Sequence, residues 1–273
     1  MEKGLLSALK KGKTVYGTCI TANAPLWPKA LEGAGLDFVF IDTEHTPLGR
    51  ETVTTACRLY KAVGLAPVVR IPSPDPYQAS MVLDGGASGV IAPYIETAEQ
   101  VRQLVGAVKY KPLKGAMLQG FLQSGAGLDA GLLSHLRNLN ANNVLIANIE
   151  SRPAIEALDE ILSVDGLDGI LVGPHDLTHS LGIPEQYRHP LFRQTIATII
   201  DKARKKQVGV GIHVWDEVGF DQELEWAGLG ANLIVHSNDL SLLSSTLKGD
   251  LRRLKDATGI ESPDTTEAKN TII

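Results

Sequence analysis

The chain has 273 residues, of which 44% are hydrophobic and 21% charged, and its formal net charge is -5. This balance is typical of a folded globular protein and excludes a disordered chain. The basic residues are scattered apart from KARKK at 202–206, where a helix end accommodates them, so we expect no nucleic-acid partner. Cys19 and Cys57 lack metal-ligand spacing, and no stretch approaches the roughly 20 apolar residues of a membrane span. We therefore expect a cytoplasmic protein with reduced thiols and no membrane segment.

Short apolar runs recur along the chain, and a segment with helical spacing follows each of them. The predicted strands are Val15–Ile20, Phe38–Asp42, Pro67–Ile71, Gly89–Pro93, Val144–Glu150, Gly169–Gly173, Val208–Val214 and Leu233–His236. Eight units of one strand and one helix are typical of a (β/α)8 TIM barrel, which uses about 250 residues as one domain. The sequence therefore predicts an α/β protein with a single barrel domain over residues 1–258.

Helical spacing and capping residues mark the segments between these strands. The predicted helices are Pro25–Gly33, Arg50–Val63, Pro76–Leu83, Thr97–Val108, Arg152–Leu162, Leu191–Lys206, Asp216–Trp226 and Ser241–Asp256. Asp75 before Pro76 is a typical helix start, and Thr97 with Gln100 has capping-box spacing.

Two segments depart from this rhythm. Between Lys109 and Asn143 the chain is longer than a return to the next strand requires, and it contains the small-residue run QSGAGLDAG and a short helical piece at 132–139. Long insertions on this fold usually serve function, so we interpret residues 109–143 as a mobile lid or a subunit contact. Residues 259–273 are polar with little periodicity, and we predict a flexible tail that frays or packs on a neighbour.

Acids and histidines follow several strands directly. The run FVFIDTEH places Asp42, Glu44 and His45 at the end of the second strand. Ligands of parallel α/β proteins bind at the carboxyl ends of the strands, so these side chains are candidates for chemistry. The alternative is that Asp42 caps the next helix and His45 is a solvated loop residue.

The third strand ends with Arg70 after a wholly apolar run. A guanidinium in this position suits two roles, a bidentate clamp on a carboxylate or phosphate and a contact with a developing enolate oxygen. The alternative is an ion pair at the barrel rim. Asp84 closes the third of these predicted helices, where the helix dipole disfavours an acid, and we expect His45 to be its compensating partner.

Two carboxylates arrive at the ends of consecutive strands. Glu150 ends VLIANIE, and His175 and Asp176 follow the sixth strand in GILVGPHDL. Repulsion between neighbouring carboxylates is relieved by a proton or a cation, and a site with few oxygen ligands suits Mg²⁺ or a similar ion. The alternative is that each acid only caps the helix after it.

In order along the chain, FVFIDTEH, PVVRIP, LDGGASGVIAPYIETAEQ, IANIESRPAIEALDEI and DGILVGPHDLTHSLG resemble the HpcH/HpaI aldolase family, the metal-dependent class II pyruvate aldolases. The resemblance covers about Gly17 to Leu240. It implies a barrel of the phosphoenolpyruvate/pyruvate superfamily that cleaves a 4-hydroxy-2-oxo acid reversibly into pyruvate, or a close analogue, and an aldehyde through a metal-stabilised enolate. It also implies a hexamer in which C-terminal helices are exchanged between subunits.

The resemblance also assigns roles to individual residues. It makes Glu150 and Asp176 the ligands of a divalent metal, Mg²⁺ or Mn²⁺ with Co²⁺ or Zn²⁺ as alternatives. It makes His45 the general base, Arg70 the residue that stabilises the enolate, and Asp84 the acid that makes the histidine more basic. Asp42, beside His45, joins these catalytic candidates. No lysine interrupts an apolar strand, which disfavours a Schiff-base mechanism.

Departures from the family pattern fall in the region that holds the substrate. Asn148 stands where a glutamine is common, His175 where a small residue is common, and Cys19 where a tryptophan is common. Arginine-containing and basic segments of the family are replaced by KPLKGAMLQGF and QSGAGLDAG. We expect Arg70, Asn148, Gly173, Pro174 and His175 to contact the substrate.

Three functions remain open from the sequence. The first is a pyruvate-type aldolase, and the second is an oxaloacetate decarboxylase or a carbon-carbon bond-forming synthase that uses the same metal enolate. The third, a catalytically silent barrel that serves as an assembly subunit, is disfavoured because Glu150, Asp176, Arg70 and His45 occur together.

Overall fold

A computed structural model describes residues 4–214 and 218–259 of the chain. Its strands are β1 (Val15–Ile20), β2 (Phe38–Asp42), β3 (Ala66–Arg70), β4 (Gly89–Ala92), β5 (Val144–Ile149), β6 (Gly169–Val172), β7 (Gly209–Val214) and β8 (Leu233–Asn238).

Neighbouring strands pair in parallel in chain order, and β8 pairs with β1 to close the barrel. The predicted (β/α)8 TIM barrel is confirmed. The tail at 260–273, which we predict to be flexible, lies outside the described residues.

Helices alternate with the strands around the outside. They are α1 (Leu5–Lys10), α2 (Trp27–Leu31), α3 (Arg50–Ala62), α4 (Pro76–Asp84), α5 (Ala98–Lys109), α6 (Gly115–Ser124), α7 (Ala130–Leu139), α8 (Arg152–Glu156), α9 (Leu158–Ile161), α10 (Pro174–Ser180), α11 (Pro190–Lys205), α12 (Phe220–Gly228) and α13 (Asp239–Thr258). No helix in the described part of the chain combines the length and apolar content needed to cross a membrane.

The strands present alternate residues to two separate cores. One set, which includes Phe38, Phe40 and Val235, packs with Leu9 of α1 inside the barrel. The other set packs outward against the helices, as the strand period of two requires. Both faces of β2 are therefore buried, which explains its unbroken apolar run.

Local capping signals hold where they were expected. Asp75 accepts a hydrogen bond from the backbone N–H of Tyr77 at the start of α4, and Thr97 forms a capping box with Gln100 at the start of α5. The segment predicted as one helix from Arg152 divides into α8 and α9. The helix predicted from Asp216 begins at Phe220 in the structure, and residues 215–217 are outside its described part.

The insertion at 109–143 contains two helices, α6 and α7, where the sequence predicts only one short helical piece. Leucines 118 and 122 of α6 approach Gly106 on α5, and Asn143 donates to the carbonyl of Val108. These contacts lie along α5 on the outer wall of the barrel. The interpretation of residues 109–143 as a mobile lid or a subunit contact stays a prediction.

Candidate active site

A buried guanidinium held by two carboxylates lies at the carboxyl ends of β2 and β3. Asp42 and Arg70 end these strands and pair across the ladder. Nε of Arg70 donates to Oδ1 of Asp42 at 2.8 Å, and Nη1 lies 3.0 Å from Oε2 of Glu44. The guanidinium carbon also stands 5.1 Å from the centre of the Phe40 ring. Strand pairing and these contacts hold the arginine in one orientation.

Burial and ion pairing oppose each other in this cluster. Burial would raise the pKa of Asp42, but the hydrogen bond and charge of Arg70 outweigh it and hold that pKa below its ordinary value. Burial likewise disfavours the charged guanidinium, yet Asp42 and Glu44 raise the pKa of Arg70. Asp42 and Arg70 therefore both remain ionised at neutral pH.

Several buried polar atoms near this cluster have no hydrogen-bond partner among the described residues. They include Nη2 of Arg70, Oδ2 of Asp42 and Oδ1 of Asn148. Buried polar groups are nearly always paired, so such a cluster marks a place where a ligand completes the bonding. Because Asp42 occupies the Nε edge of Arg70, the unpaired Nη2 suits a single oxygen. Contact with an enolate oxygen therefore fits the structure better than a bidentate clamp through Nε.

The two carboxylates predicted to bind a metal converge beside Gly173. An added Cβ on Gly173 would lie 2.9 Å from Oε2 of Glu150 and 3.7 Å from Oδ2 of Asp176, so glycine keeps the space between them open. Oε1 of Glu150 accepts a hydrogen bond from the backbone N–H of Tyr94 at 2.8 Å. Oε2 accepts one from Nδ2 of Asn148 at 3.2 Å. Glu150 is thus buried and oriented, while Asp176 is exposed.

The electrostatics of this pair fit a cation. Burial is the main cause that raises the pKa of Glu150 to about 7; the Tyr94 amide acts against it, and the charges of Asp176 and Glu44 add to it. Within residues 4–214 and 218–259, no three His, Cys, Asp or Glu side chains form a metal-binding group. The described residues therefore bring two carboxylates to this space and not a closed cage. Mg²⁺ commonly binds through one or two carboxylates and keeps its other positions for water and substrate, so Glu150 and Asp176 fit such an ion.

His45 and Asp84 are not brought together in this chain. Nε2 of His45 lies 3.7 Å from Oε2 of Glu44, and the His45 side chain is 43% exposed at the barrel mouth. Asp84 pairs instead with Nζ of Lys111, and its side chain is 71% exposed. The prediction that His45 compensates Asp84 is wrong within the chain, because barrel helices run antiparallel to the strands. The end of α4 consequently lies at the face opposite to the mouth, and a catalytic role for Asp84 stays a prediction.

The residues predicted to contact the substrate after β6 are divided between buried and exposed positions. Pro174 is buried and is the first residue of α10. His175 is exposed, with its ring centre 4.4 Å from that of His179, and Nδ1 of His179 lies 2.9 Å from the carbonyl oxygen of His175. The two rings therefore support each other one turn apart at the rim, next to Asp176.

Tyr94 is a site residue that the sequence analysis missed. It follows β4 and has a φ of 54°, a left-handed backbone conformation that residues other than glycine seldom adopt. Its amide binds Glu150, and its hydroxyl bonds Glu44, whose hydrogen bond and charge raise the pKa of Tyr94 to about 12. A polar aromatic residue directly after an apolar strand was the available signal.

The two histidines at the ends of β7 and β8 take different positions. His213 is buried beside Phe40, and burial together with the positive charge of Arg70 lowers its pKa to about 3. His236 pairs with Glu223 of α12, with Nδ1 and Oε2 at 2.7 Å. Only His213 lies near the arginine cluster.

These features define a class of protein. The carboxyl end of a closed parallel barrel combines an acid pair suited to a divalent cation, a buried arginine with an unpaired nitrogen, and a histidine at the entrance. Enzymes of this fold place their active sites at that end. The fold and the site together are those of a (β/α)8 barrel enzyme.

Comparison with known proteins identifies the family. The HpcH/HpaI aldolase/citrate lyase family matches residues 17–238, and the chain belongs to this family. The chain is 31% identical over 252 residues to the hydroxypyruvate/pyruvate aldolase of Roseovarius nubinhibens, covering 90% of this chain and 95% of that protein. It is also 31% identical over 244 residues to the 4-hydroxy-2-oxo-heptane-1,7-dioate aldolase of Shigella sonnei, covering 89% and 92%.

A solved structure also resembles this barrel. The crystal structure of citrate synthase SbnG is similar with a TM-score of 0.79 and 27% identity, covering 94% of this chain and 99% of that one. With the family and the named relatives, the chain is an aldolase, a carbon-carbon lyase.

Proposed function

We propose that this protein is a divalent-metal-dependent aldolase that cleaves a 4-hydroxy-2-oxo acid reversibly to pyruvate, or a close analogue, and an aldehyde. The observation that carries the proposal is the convergence of Glu150 and Asp176 on the space beside Gly173. The unpaired Nη2 atom of Arg70 lies at the same end of the barrel. The relatives named as aldolases of 2-oxo acids support the same reaction.

The residues of the chain take complementary roles in the cleavage direction. His45 removes the proton of the 4-hydroxyl group, and the bond between C3 and C4 breaks to form the aldehyde carbonyl. The electron pair of that bond forms the enolate of pyruvate, and Nη2 of Arg70 donates a hydrogen bond to the enolate oxygen. A proton returned to C3 then completes the methyl group of pyruvate.

Glu150 and Asp176 would hold the divalent cation, Mg²⁺ or Mn²⁺ by the oxygen character of the ligands. A bound cation supplies a Lewis acid beside the 2-oxo group. The amide of Tyr94 and the side chain of Asn148 orient Glu150 for this purpose. Asp42 holds Arg70 in place and keeps it charged.

The second candidate is a decarboxylase of oxaloacetate, or a synthase that forms a carbon-carbon bond from the same enolate. The similarity of this barrel to that of citrate synthase SbnG supports this second candidate. Consumption of oxaloacetate without any added aldehyde is the reaction that separates it from the aldolase.

Exchange of the methyl protons of pyruvate in deuterated water, followed by NMR, tests the proposal. We expect exchange with Mg²⁺ or Mn²⁺, none with a chelator, and a loss of at least about 10³-fold in Glu150→Ala because several kcal/mol of charge stabilisation disappear. Glu160→Ala, which removes an exposed acid on α9, is the matched control and should exchange normally. No exchange by folded protein with metal present would overturn the pyruvate aldolase, and oxaloacetate would then test the second candidate.

We also propose a homo-oligomer, a hexamer by the family resemblance, assembled through α13. Leu243, Leu247, Leu251 and Leu254 form one stripe along this helix and are 45–62% exposed. Only Asp239 and Ser241 of its described residues are buried, so most of the helix lacks packing within the chain. Sedimentation should show an oligomer that Leu247→Glu with Leu251→Glu dissociates. A monomeric unsubstituted protein would contradict this proposal.

A further inference from the structure

The charge of the barrel mouth bears on the aldehyde half of the substrate. Six loops that lead from a strand to the next helix are described in full, and none contains lysine or arginine: 21–26, 43–49, 71–75, 93–97, 150–151 and 173. The same loops contain Glu44, Asp75, Glu96 and Glu150. At the eighth strand α13 begins without a loop, and its first residue is Asp239.

The one arginine at a strand end is already engaged. Arg70 contacts Asp42 through Nε and Glu44 through Nη1, and its unpaired Nη2 is assigned to the reacting half of the substrate. With Glu150 and Asp176 included, this end of the barrel has four carboxylates for this single strand-end guanidinium. The inner site therefore stays negative even when it holds a divalent cation and the carboxylate of a 2-oxo acid.

Two helices that leave this face begin with an arginine. Nη2 of Arg152 donates to the carbonyl oxygen of Leu181 at 3.2 Å, which directs that guanidinium to the end of α10. Arg50 is exposed at the start of α3. Arg188 is also exposed, on the connection from α10 to α11. Arg50 and Arg188 are thus the exposed arginines of this face that are available to a second negative group on the substrate.

The outer rim is also acidic beside the loop that carries Glu150. Oε1 of Glu96 accepts a hydrogen bond from Ser151, the residue after Glu150, at 2.6 Å. Asp75 caps α4 at the adjacent loop. The hydroxyl of Tyr94 and the imidazoles of His45 and His175, all exposed, are groups that hydrogen-bond substrate hydroxyls.

We infer that the aldehyde half of the substrate carries no negative charge and is a hydroxyaldehyde, so that the substrate is a 4-hydroxy-2-oxo monocarboxylic acid with hydroxyls on its distal carbons. The inference rests on the proposed aldolase function and narrows its substrate class. An anionic group on the distal chain that extends past the loops after β3 and β4 meets Asp75 and Glu96, and like charges disfavour it.

Condensation of pyruvate with a matched pair of aldehydes tests the inference. The probes are 4-oxobutanoate, an anion, and its methyl ester, which has the same chain without the charge, with glycolaldehyde and glyceraldehyde as hydroxyaldehydes. At low salt we expect the ester to exceed the acid in kcat/KM by at least about tenfold. This ratio should shrink at 1 M salt, where screening extends to only about 3 Å. Both hydroxyaldehydes should be accepted.

Substitutions locate the source of the discrimination. Glu96→Gln with Asp75→Asn should raise kcat/KM for the acid several-fold and leave the ester unchanged. Asp165→Asn removes an exposed acid before β6, at the other end of the barrel, and should change neither value. Neither Arg50→Gln nor Arg188→Gln should lower the rate with the acid.

The outcomes distinguish a failure of the substrate inference from a failure of the proposed aldolase function. Equal or better use of the acid, while pyruvate exchange is intact, overturns the inference and leaves the aldolase standing. A selective loss with the acid in Arg50→Gln or in Arg188→Gln also overturns it, because that arginine would then bind a distal carboxylate. Absence of pyruvate exchange overturns the proposed function, and the inference falls with it.

Discussion

Two ion pairs, each with a buried carboxylate, lie at opposite ends of the barrel, and they differ in how completely their polar atoms are hydrogen-bonded. At the amino end, Nζ of Lys109 donates to Oδ2 of Asp168 and to the carbonyl of Asn143, and Asp168 also accepts from the amide of Leu145. At the carboxyl end, Arg70 and Asp42 each retain a buried atom without a partner among the described residues. The first pair is hydrogen-bonded to the surrounding protein and has a structural role, whereas the second keeps unpaired polar atoms that a ligand can bond.

The pKa values of the two pairs show the same contrast. At the amino end burial prevails, and it lowers the pKa of Lys109 and raises that of Asp168. At the carboxyl end the pairing prevails and fixes the charges of Arg70 and Asp42. A group kept charged and incompletely bonded inside a protein is costly, and it is retained where it serves a site.

The largest expected effect comes from removing the cation of each pair. Arg70→Met and Lys109→Met each leave a buried carboxylate without its partner, so each should lower the free energy of unfolding by about 3–5 kcal/mol. Only Arg70→Met should also lower pyruvate exchange per folded molecule, by about 10²–10³-fold. Urea denaturation and NMR exchange on the same samples measure the two effects. An equal loss of exchange in Lys109→Met would remove the distinction between the two ends.

Acid should destabilise the protein through His213. Its pKa in the folded protein is about 3, below the ordinary 6.5. Between these two pH values the unfolded chain binds a proton on His213 that the folded chain does not bind. This contribution is complete above pH 6.5 and is lost as the pH falls, by about 3 kcal/mol between pH 6.5 and pH 4. His213→Gln should show a shallower decline of unfolding free energy over this range. If the unfolding free energies of the two proteins fall with pH at the same slope, His213 is not the cause of the acid destabilisation.

Gly173→Ala should separate metal binding from folding. The added Cβ would lie 2.9 Å from Oε2 of Glu150, so the carboxylate must move from its position beside Asp176. We expect Mn²⁺ affinity, measured by calorimetry, to fall by about 10- to 100-fold, the size of effect seen when ligand orientation is lost. The free energy of unfolding should change by less than about 1 kcal/mol. Unchanged affinity would argue against a cation between these two acids.

The smallest effect is expected from Tyr94→Phe. The substitution keeps the amide that orients Glu150 and removes only the hydroxyl that bonds Glu44, so kcat/KM should fall about fivefold, equivalent to about 1 kcal/mol. Tyr16→Phe on β1, near the amino end, is a similarly exposed control and should leave kcat/KM unchanged. Equal rates for Tyr94→Phe and the unsubstituted enzyme would show that the hydroxyl has no part in the reaction.

The strands were predictable because burial on both faces leaves unbroken apolar runs. The predicted bounds of β1 and β2 agree with the structure, and the others differ by one or two residues at their ends. The helix at 115–124 was missed, since GAMLQGFLQS contains two glycines and its packing partner, α5, is remote from any local signal. The interpretation of residues 109–143 as a lid or a subunit contact rested on the length of the segment and its small-residue run.

Part of the site was also readable from the chain. A polar residue after an apolar strand identified Asp42, Arg70 and Glu150, because all strand ends of a parallel barrel meet at one face. The same rule applied to Tyr94, but an aromatic residue is normally interpreted as a packing residue unless the contacts of its hydroxyl and its amide are known. The pairing of Asp84 with His45 failed because a helix end and a strand end belong to opposite faces.

The sequence by itself determined the barrel, its eight strands and the residue types at its mouth, because these depend on local periodicity and on the direction of parallel strands. The tertiary structure decided which nitrogen of Arg70 remains unpaired, which carboxylates share the space beside Gly173, and that Asp84 pairs with Lys111. These outcomes depend on distances between side chains far apart in the chain, which no local pattern encodes.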